Sequence, residues 1–224
     1  MMAVFEKSPR LRHIGHLDIQ RAVQRALRRS GLPVSYSKGF NPHILLTFAS
    51  ALSTGYAGRR EIMEVQLERE ITPEEFLRAM NGAMPPDMQL SEAKVLPDQH
   101  VALMAAVQAA DYTITLVDEN AARVIDERLD AFMAQESIIA LRRTKSGMKE
   151  TDIRPLIHTL TVDPEKNAIH AVMTLTERLA CKPGMLMDAL TAFCGFEEAP
   201  RVLVVRNGLL GVDMAGGLAP LETL

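Results

Sequence analysis

Tryptophan is absent from this chain of 224 residues, and aromatic residues of every kind make up only 4% of it. The core is therefore expected to be aliphatic, with 13 methionines among its material. Cysteine is nearly absent too. Cys181 and Cys194 lie in one short stretch with no signal peptide ahead of them, which excludes a disulfide framework and fits reduced thiols in a cytoplasm. Two cysteines at that spacing make neither an iron–sulfur nor a zinc motif. The most apolar stretch, residues 202–221, is interrupted by Arg206, Asp213 and several glycines, so no membrane span is expected. No paired-carboxylate, Ser-His-Asp or Cys-His constellation can be placed. The glycines at 216 and 217 have no helix after them and make no phosphate-binding loop.

What remains is an ordinary folded composition, 47% hydrophobic and 24% charged, long enough for one large domain or two small ones. The net charge of −3 hides an uneven distribution. Residues 7–60 carry ten basic side chains against the single acid Asp18, residues 61–141 are strongly acidic, and residues 142–154 form a short basic island. Clustered Lys and Arg create a local positive potential whatever the total charge. The basic parts suit an anionic partner; they equally suit a solvated surface that neutralises the acidic face of the same molecule.

The chain reads as two copies of one unit. A strand at residues 2–7 precedes a helix over 16–30, whose Ile19, Val23, Ala26 and Leu27 share one face, with Gly31 and Pro33 as the stop. Extended segments follow at 34–37, 44–49 and 62–68. Thr72-Pro73-Glu74-Glu75 then opens a second helix, and 88–96 gives a last strand. The second half repeats the order, with a strand at 112–117, a helix at 121–135, strands at 138–143, 156–162 and 169–176, a helix at 183–193 and a strand at 201–206. Pro73 is followed by Phe76, Leu77 and Met80, and Pro183 by Leu186, Met187 and Leu190, at matching offsets. A repeated β-α-β-β-α-β order describes an α+β protein of tandem ferredoxin-like domains. The expected division is 1–97, a linker at 98–110 that is rich in alanine and itself helical in pattern, and 111–224.

Three segments carry chemistry. Arg12-His13-Ile14-Gly15-His16-Leu17-Asp18 sits at a strand-to-helix junction, where His16 beside Arg12 suits an anion at a helix start, and His13 suits a structural turn. A metal reading of His13, His16, Asp18 and His43 lacks the second ligand pair that zinc sites bring, so none is expected. Arg21, Arg25, Arg28 and Arg29 fall opposite the apolar face with no acid four residues away, although interleaved Glu is the usual helix partner. This ridge suits phosphate or carboxylate contact, or an acidic protein. Ser37-Lys38-Gly39-Phe40-Asn41-Pro42-His43 is a turn whose Lys38, Phe40, Asn41 and His43 offer charge, stacking and a proton-transfer group, as a single-stranded RNA site needs. Aromatics are normally buried, so Phe40 also reads as a core plug under the loop. In the second half Arg142 to Arg154, with Lys145 and Lys149, reads as a basic hairpin.

The run from Gly15 to Asp18, then Ala26 through His43 (Ala-Leu-Arg-Arg-Ser-Gly-Leu-Pro-Val-Ser-Tyr-Ser-Lys-Gly-Phe-Asn-Pro-His), resembles the radical SAM-linked protein family. Lys149 and Asp152-Ile153-Arg154-Pro155-Leu156-Ile157 resemble that family's second stretch, so the likeness covers most of the chain. Gly15 stands where serine is usual there, and Ile44-Leu45 where Pro-Arg usually follows the histidine. The resemblance implies an accessory protein found beside, or fused to, a cobalamin-binding radical SAM protein. This chain lacks the three-cysteine cluster motif of the radical enzyme itself.

The leading expectation is a non-catalytic accessory or binding module, without a cofactor of its own, that works with a radical SAM partner and presents RNA or a ribosome-associated substrate. Its ligand residues are expected to be Arg12, His16, Arg21, Arg25, Arg28, Lys38, Phe40, Asn41, His43, Lys145, Lys149 and Arg154. The alternative is a metal-independent endoribonuclease with His16 or His43 as general base, by analogy of fold. A protein–protein adaptor is the third reading. The oligomeric state is left open by the sequence.

Overall fold

A computed structural model describes residues 1–144 and 147–224. The fold mixes helix and strand: five α-helices among the described residues, with strands whose pairings are largely antiparallel. Two compact units divide the chain, the first made of residues 1–107 with 211–224 and the second of residues 108–210. These limits differ from the expected ones at both ends. Residues 98–107 stay with the first unit, and after residue 210 the chain returns to it.

The first unit runs β1 (Met2–Lys7), α1 (His16–Arg29), β2 (Leu46–Phe48), β3 (Tyr56–Val65), α2 (Pro73–Ala83), β4 (Leu90–Lys94) and α3 (Leu103–Ala106). Strand β1 lies between β4 and β3, and β2 pairs with the far side of β3, so the order is β4-β1-β3-β2. Ala3, Phe5 and Met63 turn from this sheet into a core closed by Ile19, Val23 and Leu27 of α1 and by Phe76 and Met80 of α2. Those helix residues recur at three- and four-residue spacing because a helix buries one stripe. Helix α1 stops where Gly31 takes φ +73°, a left-handed conformation that glycine adopts without a Cβ penalty. Helix α2 starts with Thr72 Oγ1 accepting from Glu75 N–H at 3.1 Å and with Pro73 in its first turn.

The second unit runs β5 (Ala109–Leu116), α4 (Ala121–Met133), β6 (Ile139–Thr144), β7 (Gly147–Asp152), β8 (Ile157–Asp163), β9 (Ala168–Thr174), α5 (Pro183–Cys194) and β10 (Val202–Val212), the last residues of β10 passing back to the first unit. Its sheet order is β10-β5-β9-β8. Strands β6 and β7 stand apart as a two-stranded sheet. Asn167, at φ 49°, ties the start of α4 to β5: its amide donates to the Leu116 and Asp118 carbonyls and its Oδ1 accepts from Ala122 N–H. Pro183 opens α5 as Pro73 opens α2, with Leu186 and Leu190 buried below it. The short β11 (Leu218–Pro220) pairs with the end of β10. Among the described residues no helix is long and apolar enough to cross a membrane.

Candidate functional site

Strand β1 places Lys7 at its end, on the same side of the sheet as Ala3 and Phe5, because side chains alternate along a strand. There Lys7 is 2% exposed, and Glu61 of β3 is 4% exposed. Both line a small cavity beneath the first turn of α1 with His16, Ser50, Phe48 and Ile19. Its volume of about 10 Å³ is room for one water. Lys7 Nζ donates to the Arg12 carbonyl at 3.2 Å, and Gly55 N–H donates to the same oxygen at 2.7 Å. The buried cation thus fixes the turn that delivers α1. Glu61 needs the missing side chain of Gly58, since a Cβ there would lie 2.7 Å from Glu61 Cγ.

His16, half-buried, borders the same cavity. Its ring packs edge-on to Phe48, centroids 5.1 Å apart. On the helix wheel His16 falls with Ile19 and Val23, and its side chain is half-buried at the edge of the core. Arg12 donates to the Pro9 carbonyl at 3.2 Å. Lys7 and Glu61 escaped the sequence reading, although Lys7 continues the alternation of Ala3 and Phe5, and Glu61 opens the apolar run Ile62-Met63.

The outer face of α1 carries Arg21, Arg25, Arg28 and Arg29, all exposed. Arg21 pairs with Asp18 at 2.9 Å, three residues back, and Arg29 donates to the Ala83 carbonyl at the end of α2. The ridge is thus smaller than expected. Arg25 and Arg28 make no ion pair among the described residues.

The loop after α1 is closed at its base. Ser37 N–H donates to the His43 carbonyl at 2.8 Å, His43 N–H donates to Ser37 Oγ at 3.1 Å, and Ser37 Oγ shares a hydrogen bond of 2.8 Å with His43 Nδ1. Tyr36 and Ile44 pair just outside it. Lys38, Phe40 and Asn41 occupy the exposed tip, with Gly39 at φ +138° supplying the turn. Phe40 has a relative exposure of 106%. The core-plug reading of Phe40 is overturned: a loop cinched at Ser37 and His43 holds the ring away from the sheet. His43 and His16 have different neighbours, one in this loop and one in the core-edge cavity.

In the second unit the basic segment forms the β6–β7 hairpin, where Arg142 stands opposite Lys149. Lys145 lies outside the described residues. Arg154 is half-buried, and its Nε donates to the Met133 carbonyl at 2.9 Å at the C-terminus of α4. Asp152 accepts from Ile138 N–H and Arg154 N–H, and these bonds hold its carboxyl below the usual aspartate range.

The acidic stretch collects elsewhere, around a groove of about 1060 Å³ bordered by Glu64, Glu68, Glu70, Glu74 and Asp98. At its rim His100 pairs with Glu64 at 3.2 Å, and its Nδ1 bonds the Pro97 carbonyl at 2.8 Å. These bonds, the backbone one foremost, raise its pKa. Arg60 is held by Glu222 at 2.5 Å and by Glu92 at 2.7 Å. Burial alone pushes the Cys181 thiol up to about 12, which leaves no thiolate for chemistry. Among the described residues no three His, Cys, Asp or Glu side chains are grouped to hold a metal ion.

A family model described as "Uncharacterized protein conserved in bacteria (DUF2344)" matches residues 1–183. No curated protein matches the chain. The match takes in buried Lys7 and Glu61 with half-buried His16, the arginine face of α1, the Phe40 loop and the β6–β7 hairpin alike, and on that extent the chain belongs to this uncharacterised family of bacterial proteins.

Proposed function

We propose that the protein is a non-catalytic RNA-binding module, with the exposed face of its first unit as the contact surface. The observation that carries this is Phe40: a fully exposed ring beside Lys38, on a loop pinned at its base by Ser37 and His43. An aromatic in water gains little where it stands and much when a base stacks on it, by about 1–3 kcal/mol. Arg25 and Arg28, without acid partners, supply phosphate contacts from α1. Catalysis by His16 is disfavoured by its packing against Phe48 and by a cavity with room for a single water.

Two finer readings accompany this one. The orders β4-β1-β3-β2 and β10-β5-β9-β8, each with two helices between, support a tandem of ferredoxin-like units, the second carrying the β6–β7 hairpin as an insertion. The resemblance of residues 26–43 to radical SAM-linked proteins supports an accessory role beside a radical SAM enzyme in the cytoplasm.

Fluorescence anisotropy with a labelled RNA of about 8 nucleotides tests the central claim. Binding is expected to weaken steeply as salt rises, and Phe40→Ala is expected to cost roughly 5- to 150-fold in affinity. Affinity unchanged by Phe40→Ala, or insensitive to salt, overturns the reading. The purified protein is expected neither to cleave that RNA nor to consume S-adenosylmethionine. Cleavage in chelator that disappears in His16→Ala or His43→Ala establishes the endoribonuclease instead.

A further inference from the structure

His43 closes the Phe40 loop with one of its two ring nitrogens and leaves the other without a partner. Ser37 Oγ accepts from His43 N–H at 3.1 Å and lies 2.8 Å from His43 Nδ1. Ser37 is half-buried, and its hydroxyl has no further partner among the described residues. The ring of His43, which is exposed, makes no second hydrogen bond and no ion pair among them. A neutral imidazole has one N–H and one bare nitrogen, and the partner of each decides which is which. The Ser37 hydroxyl has one proton and, within the chain, one acceptor for it, Nδ1. Donating it there makes Nδ1 the bare nitrogen and places the ring hydrogen on Nε2. The opposite tautomer turns Nδ1–H on Ser37 Oγ and strands the hydroxyl proton of a half-buried group. A protonated ring has hydrogen on both nitrogens, and Ser37 Oγ then uses its two lone pairs for Nδ1–H and the backbone N–H. Nε2 is thus a donor in either charge state.

Resting on the RNA reading above, we propose that His43 is the phosphate contact of the Phe40 loop, donating from Nε2–H to the backbone beside the stacked base, with Ser37 as its positioning residue. The ligand class is then an unpaired nucleotide held by base and phosphate together. A phosphate oxygen needs a donor, and one that Ser37 already orients loses little freedom on binding. Pro42, directly before His43, stiffens the backbone there by its fixed φ. Phe40 and His43 stand three residues apart, a span of at most about 11 Å, so a base on the ring leaves its neighbouring phosphates within reach. Lys38 adds charge without that directionality. The same arrangement withholds His43 from the role of general base. A base must accept a proton, whereas Nε2 already holds one and Nδ1 is taken by Ser37.

The test uses the full chain at about pH 8, where an ordinary histidine is neutral, and a labelled single-stranded RNA of about 8 nucleotides. Imidazole nitrogen NMR of the free protein is expected to show His43 protonated on Nε2 and bare at Nδ1. Ser37→Ala keeps the backbone bond from Ser37 N–H to the His43 carbonyl, so the loop stays closed, and is expected to mix the two tautomers. Ser37→Thr, which restores a hydroxyl, is expected to restore the single tautomer and the wild-type affinity. His43→Ala is expected to cost about tenfold in affinity. His43→Gln, whose amide NH2 reaches the place of Nε2, is expected to keep most of the binding. His43→Asn, whose amide reaches only the place of Nδ1, is expected to lose as much as His43→Ala. At saturating protein the phosphorus resonances of the RNA are expected to shift less with His43→Ala than with the wild type. A wild-type ring protonated on Nδ1, an affinity that His43→Ala leaves unchanged, Asn serving better than Gln, or equal phosphorus shifts each overturns the His43 contact. If Phe40→Ala still weakens binding, the RNA reading stands without it. No binding of RNA by the wild type overturns both.

Discussion

Lys7 and Phe40 invert what their residue types suggest, one a charge inside and the other a ring outside, and each inversion has a measurable consequence. Lys7 is buried with Glu61 and donates to the Arg12 carbonyl. Lys7→Met removes the buried donor to the Arg12 carbonyl, and the expected loss is about 1–3 kcal/mol. Urea denaturation measures it. Gly58→Ala drives a Cβ against Glu61, so it is expected to cost about 1–3 kcal/mol in the wild type and less in a Glu61→Ala background. A cost equal in both backgrounds refutes the steric account. Phe40→Ala touches nothing in the folded chain and is expected to move stability by less than about 0.5 kcal/mol.

Among the elements, α1 has two faces with separate duties. Ile19, Val23, Leu27 and His16 face the sheet, whereas Arg25 and Arg28 are exposed and make no ion pair among the described residues. Replacing both arginines with Gln is expected to leave the denaturation midpoint in place and to reduce the salt slope of single-strand binding by roughly 0.7 per cation. Arg154 works in the reverse sense. Arg154→Ala frees the Met133 carbonyl at the end of α4 and is expected to cost about 1 kcal/mol of stability with no change in RNA affinity. A loss of affinity without loss of stability contradicts that assignment.

For the whole molecule, stability is expected to fall away on both sides of neutral pH through identifiable groups. Bonds from Arg201, Ile138 with Arg154, and Lys166 hold Asp118, Asp152 and Asp163 below their ordinary values. A depressed folded-state value gives stability that is present above about pH 4 and is lost as pH falls through the folded values. His100 acts in the opposite direction. Its raised value gives stability that is complete below about pH 6.5 and lost as pH rises through the folded value. His100→Gln is expected to flatten that alkaline limb, read as denaturation midpoint against pH, and an unaltered limb sinks the role given to the Glu64–His100 contact.

Local rules determined much of this protein. The stripe of α1, the proline starts of α2 and α5, the stop at Gly31 and the basic hairpin are written within a few residues each, because helix periodicity and turn chemistry act at that range. The tertiary structure decided the rest. His16 and Arg12 look alike in a string, yet only the tertiary structure sets the His16 ring edge-on to Phe48 beside a small cavity while Arg12 donates to the Pro9 carbonyl. The return of residues 211–224 to the first unit depends on contacts more than a hundred residues apart, such as Arg60 with Glu222, a separation of 162. Phe40 is the sharpest case. Burial of a ring depends on whether the chain folds back over it, and three hydrogen bonds between Ser37 and His43 turn this one outward.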